Sequence, residues 1–124
     1  MAPDKGAYEH VTRMEFPAVV RELEDILGAK LVAYMAKVTE ARAVRQWSQG
    51  EREPRSDVPE RLRTALHAAL MIAAVDGSGV TQAWFQGLNP QLDDRSPARL
   101  LRDGVLDETG PEVLGAARAF IAGV

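Results

Sequence analysis

The sequence predicts an all-α protein, and two observations carry that prediction. Apolar residues recur three and four positions apart along most of the chain, which is the spacing of one helix face. No segment alternates apolar and polar residues for long enough to indicate a strand. The 124 residues are 46% apolar and 27% charged, so the chain has the length and composition of a globular protein with a buried core.

Two helices are predicted in the first third of the chain. Residues 1–13 lack periodicity, and we expect a flexible N-terminal segment there. Because proline suits the first turn of a helix, the first helix begins at Pro17, and it ends at Gly28. A shorter helix follows over residues 29–38, and only a residue or two connects it to the next helix. The apolar stripe of the first helix consists of Val19, Val20, Leu23, Ile26 and Leu27.

The next helices are predicted from their end signals. Thr39 is a good N-cap for a third helix, Gly50 suits the position just past its last turn, and Pro54 prevents continuation. Asp57 and Glu60 have the spacing of a capping box at the start of a longer helix. The remaining elements are a stop at Gly77 and Gly79, a helix over residues 81–86, a turn at Asn89-Pro90, a helix from Ser96-Pro97 to Arg102 and a last helix over residues 111–122.

Positive charge is concentrated in the middle of the chain. The formal net charge is −3 overall. Residues 28–56 contain 6 basic and 3 acidic groups, a balance of +3, whereas the parts before and after them each have a balance of −3. Charge, proline and turn residues cluster at the end of this basic part, which predicts a boundary there. The predicted units are a flexible N-terminus over residues 1–13, a helix-turn-helix domain over residues 14–56 and a small helical domain over residues 57–124.

The third predicted helix has a face that is suited to DNA. Two arginines and two glutamines recur at i, i+3, i+4 and i+7, while Val44 and Trp47 lie on the opposite face. A short helix that is apolar inside and Arg/Gln outside is the recognition element of helix-turn-helix proteins. Arginine binds guanine acceptors, glutamine binds adenine, and flanking residues hold phosphates. The predicted DNA-binding residues are Thr39, Arg42, Arg45, Gln46, Gln49, Arg52 and Arg55.

A solvated surface face is the alternative interpretation of this pattern. The net charge of −3 opposes phosphate binding, and so does Glu40 near the start of the helix. DNA binding would therefore need a dimer, so that two basic patches act together.

Two motifs resemble those of a known family. Arg45 and Trp47 are followed by Gly50, Glu51 and Pro54, which is similar to the end of the recognition helix in Xre-type helix-turn-helix domains. Residues 81–104 resemble the C-terminal signature of the Xre/MbcA/ParS-like antitoxins. That match runs through Trp84, Phe85, Asn89, Pro90, Leu92, Arg95, Ser96, Pro97, Leu100, Leu101 and Gly104. The residues expected to specify the fold rather than to contact a partner are Trp47, Trp84, Phe85, Pro90, Pro97, Leu100 and Leu101.

The resemblance covers roughly residues 17–124 and implies an antitoxin of a type II toxin–antitoxin system. Such a protein binds a RES-domain toxin that degrades NAD, obstructs the toxin's active site with its C-terminal domain, and represses its own operon through its N-terminal domain. It is expected to act in the cytoplasm as a homodimer or as a larger complex with the toxin. The expected toxin-binding residues are Arg118, Phe120, Ile121, Ala122, Gly123 and Val124, of which the apolar ones have packing on the protein's own core as an alternative role.

Other function classes have little support in the sequence. The absence of cysteine excludes disulfides and thiol chemistry, and His10 and His67 lie far apart. We find no metal-ligand spacing, no phosphate-binding loop and no nucleophile–base pair, so we expect neither enzyme activity nor a cofactor. The start of the chain lacks the pattern of a signal peptide, and the most apolar stretch, residues 62–75, is too short to span a bilayer.

Two further hypotheses remain open beside the antitoxin. One is an Xre-type transcriptional regulator whose C-terminal half only dimerises or senses a ligand, without a toxin partner. The other is a structural adaptor whose Arg/Gln face never binds DNA.

Overall fold

The computed structural model describes residues 3–123, and over this range the chain is all-α, as predicted. Seven α-helices and one short 3-10 helix follow one another in this range, and the extended pairing within it is limited to an isolated bridge between Asn89 and Arg95. The α-helices are α1 (Pro3–Thr12), α2 (Phe16–Leu27), α3 (Ala29–Met35), α4 (Ala41–Ser48), α5 (Val58–Gln86), α6 (Pro97–Asp103) and α7 (Leu106–Ile121), and the 3-10 helix is Pro90–Leu92.

Helix α1 lies where the sequence predicts a flexible segment. It packs on α5 and buries Ala7 and Val11. Arg63 of α5 donates hydrogen bonds to the carbonyls of Val11 (2.9 Å) and Met14 (2.8 Å), which satisfies acceptors at the end of α1. Two buried residues one turn apart are too few to produce a visible period in the sequence, so packing on α5, rather than a local pattern, specifies this helix.

The connection between α3 and α4 is longer than predicted. Helix α3 ends at Met35 and α4 begins at Ala41, so five residues connect them rather than one or two. The chain turns at Lys37, whose φ is +60°, and then extends to Glu40, which occupies the N-cap position. Thr39 therefore lies in the connection, and its prediction as the N-cap is wrong.

The end of α4 is as predicted. Gly50 has a φ of +71°, a conformation that glycine adopts without strain. Its N–H donates to the carbonyl of Trp47 (3.1 Å), and the N–H of Glu51 donates to the carbonyl of Gln46 (2.9 Å). This pair of bonds is the Schellman motif, and it ends the helix at Ser48, with Gly50 two positions beyond the last helical residue.

Helix α5 is the centre of the fold. It packs on α1, α2, α6 and α7, and the described residues share one apolar core that extends from Ala7 to Ala117 across the predicted domain boundary. The first half of α5 contributes to this core the buried residues Leu62, Ala65, Leu66, Ala68, Ala69, Met71 and Ile72. By length and composition α5 could cross a membrane, and 44% of its most apolar 18-residue window is buried inside the protein.

The start of α5 and its middle differ from the sequence-based expectation in detail. Asp57 occupies the N-cap, but its carboxylate pairs with Arg61 (3.8 Å) and Arg55 (3.5 Å) instead of forming a capping box. Gly77, with φ +82° and ψ 176°, breaks the helical path, as predicted. The chain resumes the helix at once, so the predicted short helix with Trp84 is the second segment of a kinked α5.

The last helix starts earlier than predicted. The sequence places its start at Pro111, whereas α7 begins at Leu106 and contains Pro111 in its second turn. The N–H and hydroxyl of Thr109 both donate to the carbonyl of Val105, at 2.9 and 3.2 Å. These bonds hold the first turn of α7, which the sequence does not predict because proline usually marks a helix start.

Candidate nucleic-acid interface and protein-binding groove

The two faces of α4 are arranged as the sequence predicts. Val44 and Trp47 are buried, and Trp47 is only 2% exposed, with its ring edge-on to Phe16 at 6.0 Å between centroids. Arg42 and Arg45 are exposed on the other face, as is the C-cap residue Gln49. Because the buried face fixes the orientation of α4, its arginines project into solvent from a helix that cannot rotate.

Two of the predicted DNA-binding residues bind each other. Gln46 is half-buried, and its side-chain oxygen accepts a hydrogen bond from Arg52 at 3.2 Å. Arg21 of α2 donates to the carbonyl of Ser48 at 2.6 Å, which satisfies an acceptor at the end of α4 and ties it to α2. The Gln46–Arg52 pair is exposed at its arginine end, where a ligand can reach it.

Arg55 lies apart from the other predicted DNA-binding residues. It donates to the carbonyl of Ala36 at 3.2 Å and pairs with Asp57 at 3.5 Å. It therefore fastens the end of α3 to the segment that precedes α5. Its contacts are those of a structural residue.

A groove runs along the connection between α3 and α4, and we call it the α4 groove. Thr39, Arg42 and Arg52 line it together with Gln46, so four of the seven predicted residues meet there. Lys37 also lines it, and so does Glu40, whose carboxylate is the unfavourable group that the sequence identifies.

A second groove continues the first between α3 and α6, and sequence reasoning missed its residues. We call it the α3–α6 groove. Lys30, Tyr34 and Arg102 line it, and it shares Lys37 and Thr39 with the α4 groove. Arg102 is 68 residues from Tyr34 in the chain, so only the packing of α6 on α3 brings them together. No local sequence signal predicts this neighbourhood.

Residues 87–96, which lie within the segment 81–104 described above, build a compact turn between α5 and α6. The Asn89 side chain accepts from the N–H of Gln91 at 2.9 Å, and Arg95 donates to the carbonyl of Leu92 at 3.0 Å. Ser96 then caps α6 by accepting from the N–H of Arg99 at 3.1 Å. Phe85, Leu92, Pro97, Leu100 and Leu101 are buried beneath this turn.

Arg118, an expected toxin-binding residue, is engaged within the protein. Its Nε donates to Asp4 of α1 at 2.7 Å, and the other oxygen of Asp4 lies 2.7 Å from Nε2 of His67. His67 is only 8% exposed. The hydrogen bond from Arg118 lowers the pKa of the Asp4 carboxyl; burial opposes this effect, and the hydrogen bond from His67 adds to it.

The end of α7 forms an apolar groove with the end of α5. Trp84, Leu88 and Phe120 line it, and Leu88 and Phe120 are 76% and 40% exposed. The Trp84 ring lies 6.4 Å from that of Phe120 and 5.1 Å from that of the buried Phe85. We call this the Leu88–Phe120 groove. Ile121 is half-buried, Ala122 and Gly123 are exposed, and Val124 lies outside the described residues.

Sequence reasoning found Phe120 but missed Leu88, because nothing in the local pattern separates an exposed leucine from a buried one.

Within residues 3–123, no group of three or more carboxylate or histidine side chains is placed to hold a metal ion. Comparisons with protein-family models, with curated proteins and with solved structures found no match to this chain.

Proposed function

We propose that this protein is an antitoxin of the Xre/MbcA/ParS-like type, which binds and neutralises a RES-domain toxin and represses its own operon. It acts in the cytoplasm, as a homodimer or in a larger complex with the toxin. One observation carries the proposal: a cationic helix face and an exposed apolar groove occupy separate places on one small helical fold. The first has the chemistry of a DNA contact, and the second has the chemistry of a protein contact.

The DNA-binding part of the proposal rests on α4. Arg42 and Arg45 project from a helix that Trp47 and Val44 anchor in the core. Arginines on a rigid helix can reach guanine acceptors in the major groove, and those on its flanks can neutralise phosphates. The α4 groove supplies Arg52 and Lys37 for the second purpose.

The toxin-binding part rests on the Leu88–Phe120 groove. An exposed leucine and an exposed phenylalanine beside a buried tryptophan are the kind of surface that a partner protein covers. The contact differs from the one that the sequence predicts, since Leu88 joins Phe120 and since Arg118 is paired with Asp4. Arg118 would bind a carboxylate of the toxin only by exchanging its present partner.

Co-expression with the neighbouring reading frame tests the toxin part. We expect that frame to stop growth when expressed alone and to become harmless when this protein is co-expressed. The two proteins should also co-purify. If the neighbour is harmless alone, or remains lethal beside this protein, the antitoxin function is ruled out.

Binding to the promoter of the protein's own operon tests the DNA part. Fluorescence anisotropy should detect binding to that duplex. The double variant Arg42→Ala/Arg45→Ala should weaken it by at least about 25-fold, since each base contact contributes about 1–3 kcal/mol. The matched control is Arg13→Ala/Arg99→Ala, which removes the same charge from exposed positions outside both cationic grooves. If the two variants lose equal affinity for the promoter, the loss reflects the change in net charge and not base contacts by α4.

The runner-up function, an Xre-type regulator without a toxin, predicts the same DNA binding and no toxin partner. The Leu88–Phe120 groove would then be a dimer contact or a ligand site. Retained promoter binding together with a harmless neighbour would favour this alternative.

A further inference from the structure

The α3–α6 groove joins two parts of the chain that sequence analysis assigns to different domains. Lys30 and Lys37 come from α3 and the connection after it, whereas Arg102 comes from α6. Both lysines are exposed, and within residues 3–123 neither makes an ion pair. The groove therefore offers unneutralised ammonium groups beside a guanidinium.

Arg102 is held in place before any ligand arrives. Its guanidinium carbon lies 4.7 Å from the centroid of the Tyr34 ring, and its Nη1 donates to the carbonyl of Tyr34 at 2.7 Å. Asp103 approaches its Nε at 3.5 Å. An arginine that is already fixed loses little conformational entropy when it binds an anion, so these contacts favour binding as well as packing.

Together the two cationic grooves form a continuous surface, because Lys37 and Thr39 line both. Of the described residues that line this surface, five are basic and one, Glu40, is acidic. That balance is +4 in a chain whose net charge is −3. The five basic residues are Lys30, Lys37, Arg42, Arg52 and Arg102.

We infer that the α3–α6 groove binds phosphates of a nucleic-acid backbone and so extends the DNA contact of α4 across α3 to α6. This inference rests on the DNA-binding part of the proposed function. The charges follow one another along two open, connected grooves, which fits an evenly charged polymer better than a single phosphate. Lysines without a planar partner act as point charges on phosphates, so the contact is independent of base sequence.

The double variant Lys30→Gln/Lys37→Gln tests the inference through the salt dependence of binding. Each phosphate contact adds about 0.9 to the slope of log affinity against log salt, so the loss of two contacts should lower the slope by roughly 1.8. Raising the salt from about 50 to about 200 mM should then weaken the variant about tenfold less than the wild type. We expect the same change with the promoter duplex and with an unrelated duplex of equal length.

The matched control is Lys5→Gln/Arg13→Gln, which removes the same two charges from exposed positions outside both grooves. An unchanged slope in the lysine variant, or an equal change in the control, would overturn the inference. If Arg42→Ala/Arg45→Ala still abolishes binding in that case, the proposed DNA binding stands. If the wild type binds neither duplex, both fail together. A lysine variant that binds DNA normally but no longer co-purifies with the toxin would assign the groove to an acidic protein surface instead.

Arg102 needs a separate test, since its contact with Tyr34 also ties α6 to α3. Arg102→Gln should lower the salt slope by about 0.9, and Arg102→Lys should restore it because the charge is kept. Circular dichroism confirms that the measured variants are folded. If Arg102→Gln lowers the melting temperature but the folded variant keeps the wild-type slope, Arg102 is a packing residue only.

Discussion

The α4 groove and the Leu88–Phe120 groove are both exposed, but they are built differently. In the α4 groove, the side chains that face solvent are separate from those that hold the fold. Arg42 is exposed, and Trp47, five residues further along α4, is buried on the opposite face. In the Leu88–Phe120 groove the exposed and buried side chains touch, since the Phe120 ring packs 6.4 Å from that of Trp84. Substitutions in the first groove should therefore change binding without changing the free energy of unfolding. In the second groove, some substitutions should change both.

The difference follows from the chemistry of the two surfaces. The arginines of α4 keep their charged groups in water, so they project from the fold and contribute little to packing. Exposing an aromatic side chain to water is unfavourable, and this cost is smaller when part of the ring packs on the core. Such a side chain therefore serves both binding and packing. Four predictions test this comparison.

The largest effect is expected for Trp47→Ala, which removes the support beneath the α4 groove. Truncating a fully buried tryptophan should lower the free energy of unfolding by about 3–5 kcal/mol, because it deletes apolar contacts and leaves a cavity against Phe16. Urea denaturation followed by circular dichroism measures the change. The matched control on the same helix is Arg45→Ala, which should stay within about 0.5 kcal/mol of wild type. A Trp47→Ala protein as stable as that control would contradict the separation of roles in α4.

The predictable parts of the molecule are those with a local cause. The position of Trp47, the end of α4 at Gly50, the break at Gly77 and the start of α6 at Ser96 each depend on one or two neighbouring residues. These determinants act through backbone conformation or helix spacing, both of which can be read from the sequence.

The parts that sequence reasoning missed have distant causes. Helix α1 depends on packing against α5, and the Asp4–His67 contact joins residues 63 positions apart. Leu88 lines a groove only once α7 packs on α5, and Arg102 lines one only once α6 packs on α3. The cationic face of α4 was therefore predictable, whereas its continuation toward Arg102 and the Leu88–Phe120 groove were not.

The second effect concerns the Leu88–Phe120 groove. If the proposed toxin binds at this groove, Leu88→Gln should weaken that binding about 10- to 100-fold. The free energy of unfolding should stay within about 0.5 kcal/mol of wild type, because this side chain is 76% exposed. Phe120→Gln should weaken binding to a similar extent and also lower stability, because its ring packs on Trp84. Isothermal titration calorimetry and urea denaturation measure the two quantities.

Val105→Gln is the matched control for both variants, since Val105 is 64% exposed and lies outside this groove. It should change neither quantity. Promoter binding should be unaffected in all three variants, because none of the three lines a cationic groove. If Leu88→Gln binds the proposed toxin like wild type, this groove is not the contact that we propose.

A third, smaller effect is expected at the kink of α5, which orients the segment carrying Trp84. Gly77 has φ +82° and ψ 176°, a region that is essentially restricted to glycine, so Gly77→Ala should lower stability by about 1–3 kcal/mol. Gly79→Ala is the control two residues away: it lies in helical backbone with open space around it, and it should raise stability by up to about 1 kcal/mol. Thermal denaturation that shows the same sign for both variants would contradict the role of Gly77.

The smallest effect is expected for Asp4→Asn, which breaks the contact between α1 and α7. Arg118 holds the pKa of the Asp4 carboxyl below its ordinary value of 3.8, so the charged form is the one that stabilises the fold. At pH 7 the variant should be less stable by about 0.2–1 kcal/mol, the usual range for a partly exposed pair. Because the folded pKa is the lower one, this difference should be complete above the ordinary value and disappear as the pH falls through the folded value. Asp25→Asn, at an exposed position outside the pairs described, should show no such convergence with wild type. A stability difference for Asp4→Asn that persists undiminished in acid would mean that α1 is held by Ala7 and Val11 packing on α5, and that Arg118 is available to a partner at little cost.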